Sequence, residues 1–494
     1  MRNLIIFTLL VWGTLPAFSQ NQTLTLDLSR SIEIASDSSL QAFSTKNLYQ
    51  SSYWEFRSYQ AARLPSLSLS TTPISYNRRF VSRYDSEQNI DVYRSQQSLY
   101  TAAGLSLSQN VDFTGGTFYV NSDLDYYRNF GDNVYSQFSS VPVRIGYSQS
   151  LFGFNSFKWQ RKIEPLKFEK AKRQYLYSRE GISETTISYF FNLALAQLSY
   201  NLAEANVASS DTLYKIGSER QKIAAIGEAD LLTLRLNHLN ARNSLKNVEG
   251  TLARSMFSFV SFLNLPSDTR VELELPQRPK GFLVSVDDAL MLARENNPDY
   301  LSYRQQLLEA ERNVEQTEKS SNFSASISAS IGFNQVADNF RDAYASPLQQ
   351  DVARINLSIP LIDWGVRKGH ANMARNNLNV QKISIQQKTI SLEEDITMTV
   401  NDFNIQQDLI ASAEEAVELA GRAYERTKEQ FIIGKADINS LTLSQDRMNV
   451  AEQNYISALR NYWSSYYKLR KLTLYDFEKQ ESLSYEFDKI MNVK

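Results

Sequence analysis

The chain has 494 residues, with 52 Lys and Arg against 54 Asp and Glu, two His and no Cys. A net charge of −2 gives no case for a nucleic-acid binder, and the lack of Cys excludes disulfides, thiol chemistry, Cys-ligated metals and an acyl anchor on an N-terminal Cys. With 17 Gly and 11 Pro the chain has little material for loops, so its elements must be long.

In chain order, residues 1–19 read as a secretory signal peptide. Arg2 is its charged start, Leu4 to Trp12 its apolar centre, and Ala17-Phe18-Ser19 its small-x-small cleavage site. Nothing downstream reaches the ~20 apolar residues of a transmembrane helix, so a membrane-embedded form must rely on strands. Alternation predicts four strands in the first half, near 66–77, 100–112, 116–128 and 141–151, with Leu105, Leu107, Gln109 and Val111 facing one way and Ser106, Ser108 and Asn110 the other. Thr114-Gly115-Gly116 is the turn between the second and third. A long helix follows from about 160 to 225, with Tyr189, Leu193, Ala196, Tyr200, Ala203, Val207, Ser210 and Tyr214 as its heptad seam, and Leu231, Leu234, His238, Ala241, Leu245, Val248 and Leu252 continue the rhythm on the return leg. About 65 helical residues at ~1.5 Å each reach ~100 Å, too long for a compact domain.

The second half repeats the plan. Ser31–Ser39 aligns with Ala289–Asn297 at an offset of 258, as does Ser66–Ser70 with Ser324–Ser328. Gly227-Glu228-Ala229-Asp230 aligns with Gly434-Lys435-Ala436-Asp437 at an offset of 207, so the first half carries 51 extra residues, most of them an added hairpin. Two strands are predicted here, Phe323 to Phe333 and Ile355 to Leu361. A second helical hairpin follows, with seams Leu409, Ala413, Ala416, Ala420, Ala423, Thr427 and then Leu441, Ser444, Met448, Ala451, Tyr455, Ala458, Tyr462, Ser465, Leu469. Alternating strands alone fit a soluble sandwich as well as a barrel. The long helices favour the barrel.

This duplicated order resembles the TolC-like outer-membrane efflux protein family across the mature chain. The matching pieces are Arg63–Leu69 before the first strand, Leu357–Gly365 leaving the last, and Tyr424 through Phe431-Ile432-Ile433-Gly434 approaching the second helical turn. The resemblance implies an α+β membrane protein: a trimeric transmembrane β-barrel continued by a long antiparallel coiled-coil tunnel of α-helices in the periplasm, with an internal two-fold repeat. Its parts become the signal peptide 1–19, a first periplasmic helix 20–65, outer-membrane strands 66–151, a helical hairpin 152–264, an equatorial linker 265–285, a helix 286–320, strands 321–361, a second hairpin 362–472 and a tail 473–494. Six strands cannot enclose an aqueous pore, whereas three chains supply ~18, so the barrel is wider than the family's twelve-strand plan.

The implied function is the outer-membrane channel of a tripartite efflux or secretion system. Its implied partners are two further copies, a periplasmic adaptor (membrane fusion) protein, an inner-membrane RND or ABC-type pump, and outer-membrane lipid. By family analogy the adaptor contacts are Gly227, Asp230, Leu231, Gly434, Asp437 and Leu441. The positions where some members carry gating carboxylates hold Thr233 and Ser440, so no gate is transferred. No enzyme, metal or cofactor is expected, since His238 and His370 sit in no motif and Gly434-Lys435 lacks the rest of a phosphate loop. The basic stretch Lys158, Arg161, Lys162, Lys167, Lys170, Lys172 and Arg173 reads first as surface charge, with a lumenal role as the rival. An exported coiled-coil scaffold without a pore is the alternative function.

Overall fold

The computed structural model describes residues 23–130, 134–223, 225–278, 281–321, 323–484 and 487, so the signal peptide and the end of the tail lie outside the described residues. The elements in order are β1 (Thr23–Leu26), α1 (Leu28–Ser38), α2 (Leu40–Ala61), β2 (Ser66–Asp85), β3 (Ile90–Val111), β4 (Gly116–Asn129), β5 (Tyr135–Leu151), α3 (Ser156–Lys222), α4 (Glu228–Phe262) and β6 (Arg270–Leu273). They continue as α5 (Val286–Asn296), α6 (Pro298–Ser321), β7 (Ser324–Ala337), α7 (Asp342–Ala345), β8 (Leu348–Ser358), α8 (Val366–Ile432), α9 (Ile438–Thr473), β9 (Tyr475–Asp476) and β10 (Glu481–Ser482). Among the described residues no helix is long and apolar enough to cross a membrane.

The chain divides into two compact units. One comprises residues 48–174 and 297–393 and contains a single six-stranded antiparallel sheet in the order β2-β3-β4-β5-β7-β8. β2 and β3 run well past the predicted 77 and 100: Arg78 to Asp85 pair with Gln97 to Ile90 as a two-stranded ribbon beyond the β3–β4 ladder. No sheet face there imposes an apolar alternation, so the period-2 signal fades. β8 begins earlier than predicted and ends at Ser358, because Pro360 cannot donate to a ladder. Helical segments of this unit pack through Phe56 stacked on Phe168 at 4.6 Å, and Trp159 Nε1 donates to Glu315 at 2.9 Å. Much of the basic stretch is accounted for here: Lys158 faces Glu315, Lys167 faces Glu164 and Glu55, and Lys172 and Arg173 face Glu169.

The other unit comprises residues 23–47, 175–296 and 394–484 with Phe487. Its core gathers Phe190, Phe191, Phe259, Phe403, Tyr462 and Leu469 from four helices. The linker inserts β6, which pairs parallel with β1, and β9–β10 form a small hairpin after α9. Both segments predicted as one helix are broken. Ser39 is extended and its Oγ accepts from Ala42 N at 3.1 Å; Pro298 drives Asn297 out of the helix, and Asn297 Oδ1 accepts from Asp299 N at 2.8 Å. Ser39 and Asn297 are 258 apart, the same offset as the sequence match.

Three of the four predicted seams coincide with buried or half-buried positions. The α8 seam does not. Leu409, Ala416 and Ala423 are exposed, and the buried row is Ile396, Val400, Phe403, Ile410, Tyr424 and Phe431. Large side chains remove more apolar surface from water than alanines do, so they set which face turns inward.

Arg470, on α9, is buried between Glu180 at 3.1 Å and Asp476 at 2.9 Å, and Tyr466 Oη donates to Asp476 at 2.7 Å. Burial pushes the Asp476 carboxyl up, but the Tyr466 hydrogen bond and the Arg470 charge outweigh it and hold it below its ordinary value. Because the folded value is the lower one, the stabilisation is complete above the unfolded value of about 3.9 and is lost as pH falls through the folded value. Asp476→Asn should therefore lower the melting temperature at pH 7, and its deficit against the parent should shrink below pH ~3.9. A pH-independent deficit in thermal melts contradicts this.

Candidate functional site

The six-stranded sheet has two chemically distinct faces. Pairing places Leu67 opposite Leu107, Leu69 opposite Leu105, Val120 opposite Ile145, Ile145 opposite Ile331, and Ile327 opposite Ile355, all on one face. Directly opposed residues share a face, so the alternate positions form the other: Ser66, Ser68 and Ser70, Ser106 and Ser108, Asn121, Asp123 and Asp125, Arg144, and Ser324 to Ser330. On that polar face Ser106 Oγ donates to Asn121 Oδ1 at 2.8 Å and Tyr100 Oη donates to Asp125 Oδ1 at 3.0 Å. Rings cluster towards the ends of the apolar face. Tyr126 lies 4.9 Å from Phe138 near one end, and Phe118 pairs with Tyr147 towards the other.

Two prolines keep the faces in phase. Pro73 sits in the bulge between Thr72 and Ser75, and Pro142 in the bulge between Ser140 and Arg144. Each extra residue reverses parity, so Leu69 and Tyr76 share a face, as do Ile145 and Phe138. At the second bulge Gly332 is required, since a Cβ there would lie 2.6 Å from the Val143 carbonyl oxygen. The sheet ends in two free edges, β2 and β8.

The second candidate region is the pair of helix–helix turns, α3–α4 and α8–α9. They lie together: a Cβ on Gly434 would stand 3.1 Å from Arg220 Nη2, and Leu213 of α3 packs on the core formed by Tyr424, Phe431 and Leu441. The two Gly-x-Ala-Asp copies nevertheless do different jobs. Gly227 is the N-cap of α4 at φ −73°, and its N–H donates to Asp230 Oδ2 at 3.3 Å. Gly434 sits past the end of α8 at φ +78°, and Asp437 is the N-cap of α9, accepting from Ser440 N at 2.7 Å. That backbone hydrogen bond holds the Asp437 carboxyl below its ordinary value. By caps, Gly227 corresponds to Asp437, an offset of 210 rather than 207. Only Gly434 uses glycine's freedom.

Of the six predicted contact residues, Gly227, Asp230, Gly434 and Asp437 are exposed and Leu231 is half-buried. Leu441 is buried, 2% exposed, and shapes the turn from within. Ile223, Leu232, Ile432 and Ile433, none of them among the expected contact residues, are large apolar side chains exposed around the turns. Their signal was an apolar pair immediately before Gly434, off the buried row of α8. His238 Nδ1 lies 3.4 Å from Ser210 Oγ in the seam, a packing position.

Gly434→Ser should cost about 1–2 kcal/mol, since a side chain in the left-handed region is strained. Gly227→Ser should be neutral or stabilising, because Ser is a good N-cap and a Cβ there meets nothing closer than 3.7 Å. Thermal unfolding of both variants checks the contrast, and equal losses contradict it.

Residues 289–473 match the family model of the outer membrane efflux protein. No functionally curated protein matches the chain. Among solved structures, the Campylobacter jejuni CmeC outer membrane channel is similar at a TM-score of 0.67 and 16% identity, over 94% of this chain and 89% of that one. The Vibrio cholerae outer membrane protein VceC gives 0.63 and 14%, over 90% and 95%. The open-state Neisseria gonorrhoeae MtrE outer membrane channel gives 0.58 and 13%, over 90% and 88%. Residues 289–473 thus resemble the outer membrane efflux protein family, and the fold along nearly the whole chain is that of the solved outer membrane channels.

Proposed function

We propose that the chain is the outer-membrane channel of an efflux or secretion system, a passive conduit from the periplasm to the exterior. The observation that carries this reading is the two-faced sheet. An apolar face ending in rings suits lipid and its interfaces, and a face of Ser, Asn, Asp and Arg suits a water-filled lumen. From Phe118 to Tyr126 the strand rises about 26 Å at ~3.3 Å per residue, comparable to the ~25 Å apolar band of such barrels. Free edges are not tolerated in hydrocarbon, so β2 and β8 must be paired by other copies. Three copies close a barrel of ~18 strands, in the range that holds an aqueous channel.

In this reading α3, α4, α8 and α9 build the periplasmic tunnel, and the exposed alanines of α8 accept a neighbouring helix. The halves form an internal repeat, supported by α3 and α8 at 67 residues each and α4 and α9 at 35 and 36. The paired turns dock a periplasmic adaptor, which links the channel to an inner-membrane RND or ABC-type pump. Gly227, Asp230, Leu231, Gly434 and Asp437 set the shape of that surface, Leu441 supports it from below, and Ile223, Leu232, Ile432 and Ile433 provide its apolar contact.

Purified protein in detergent should have the native mass of a trimer and give channels in planar bilayers. A soluble monomer that conducts nothing contradicts the reading and favours the scaffold. Ile433→Asp should abolish capture of the adaptor from cell envelopes and sensitise cells to the exported compounds as gene deletion does. Unchanged capture removes the turns from the docking surface.

A further inference from the structure

The passage from β8 to α8 holds a tryptophan outward on a tied-down loop. Asp363 Oδ1 accepts from Gly365 N at 3.2 Å, and its Oδ2 accepts from Arg367 N at 3.1 Å and Arg367 Nε at 2.5 Å. The same guanidinium donates to the carbonyls of Ser321 at 3.3 Å and Pro360 at 3.4 Å. So fixed, Trp364 takes φ +54° and Gly365 φ +89°. A bulky residue in the left-handed region persists only when its surroundings over-determine it. Trp364 is nonetheless 94% exposed, beside Leu361 at 88% and Ile362 at 73%. The loop spends backbone strain on displaying an apolar cluster that none of the described residues of its own chain covers.

At the opposite edge of the same sheet lies a complementary cavity. The end of α2, the turn that leads into β2 and the lower end of β3 line an open cavity of about 740 Å³, with Arg57, Gln60, Arg63, Leu64 and Asp112 on its walls. Arg63 pairs with Asp112, and Gln109 Nε2 donates to the Arg63 carbonyl at 2.9 Å, so the cavity wall is held in place. Chain direction brings the two features together. β2 leaves this cavity at Ser66, and β8 ends at Ser358 just before the Trp364 loop. Antiparallel pairing of one copy's β8 with another's β2 delivers the loop to the cavity.

We infer that Trp364 of one copy seats in the α2–β2 cavity of the next and locks each seam of the ring, an inference that rests on closure of the sheet by further copies. The indole fits within the cavity volume, and the Arg57 and Arg63 guanidinium groups offer cation–π partners to its face. Leu361 adds apolar burial beside it.

The test uses the full-length protein, whose lack of Cys leaves no background. Oxidising Gln60→Cys combined with Trp364→Cys should give covalent dimers and trimers on a denaturing gel, and neither single variant should. Trp364→Ala should lower the temperature at which the native trimer dissociates, and Trp364→Phe should largely restore it. A double variant that is trimeric by native mass yet does not cross-link overturns the inference while leaving closure intact, as does quenching of Trp364 fluorescence by lipids with brominated acyl chains, which places the indole in the bilayer interface. A monomeric native mass overturns closure itself, and the lock with it.

Discussion

Backbone pairing across six strands is the constraint on which the sheet unit depends. Side chains alternate with a period of two, so one uncompensated slip would mix Leu with Ser along a whole strand. The two bulges are placed where two prolines could not donate to the ladder, and each restores phase beyond itself. Gly332 lets the ladder close against the second bulge without a collision. The separation of Leu67, Leu105, Val120, Ile327 and Ile355 from Ser66, Ser106, Asn121 and Ser328 therefore rests on a few backbone positions as much as on the alternating residues themselves.

The same ladder leaves work undone in a single chain. Its outer strands have unpaired edges, its apolar face is open, and α8 turns alanines outward while burying Phe403, Ile410, Tyr424 and Phe431. Large residues organise the chain internally because each removes more surface from water. Trp364 reverses that economy, since a large ring is held out at the cost of backbone strain, and this is why it reads as a contact for a further copy.

The helical turns make a different point about duplicated sequence. Two matching Gly-x-Ala-Asp stretches fold with Gly227 capping one helix and Gly434 ending another, because the cap role passes to Asp437 in the second copy. Residue identity matched at an offset of 207, but hydrogen bonding matched at 210. Asp437 accepts the Ser440 N–H as the N-cap of α9, whereas Asp230, already inside the first turn of α4, accepts the Gly227 N–H, so the matched aspartates serve different donors.

The alternation of 105–112, the heptads of α3, α4 and α9, and the offset of 258 were legible in the residues alone, since each is a periodicity that local geometry imposes. Pro298 and Ser39 mark helix breaks equally locally, where the expectation is one continuous helix across each. The tertiary structure alone decided the reach of the β2–β3 ribbon, the face that α8 buries, the burial of Leu441 and the pairing of Arg470 with Glu180 and Asp476. These depend on which distant segment arrives opposite a given residue. A period states that a face exists; only packing states what the face meets.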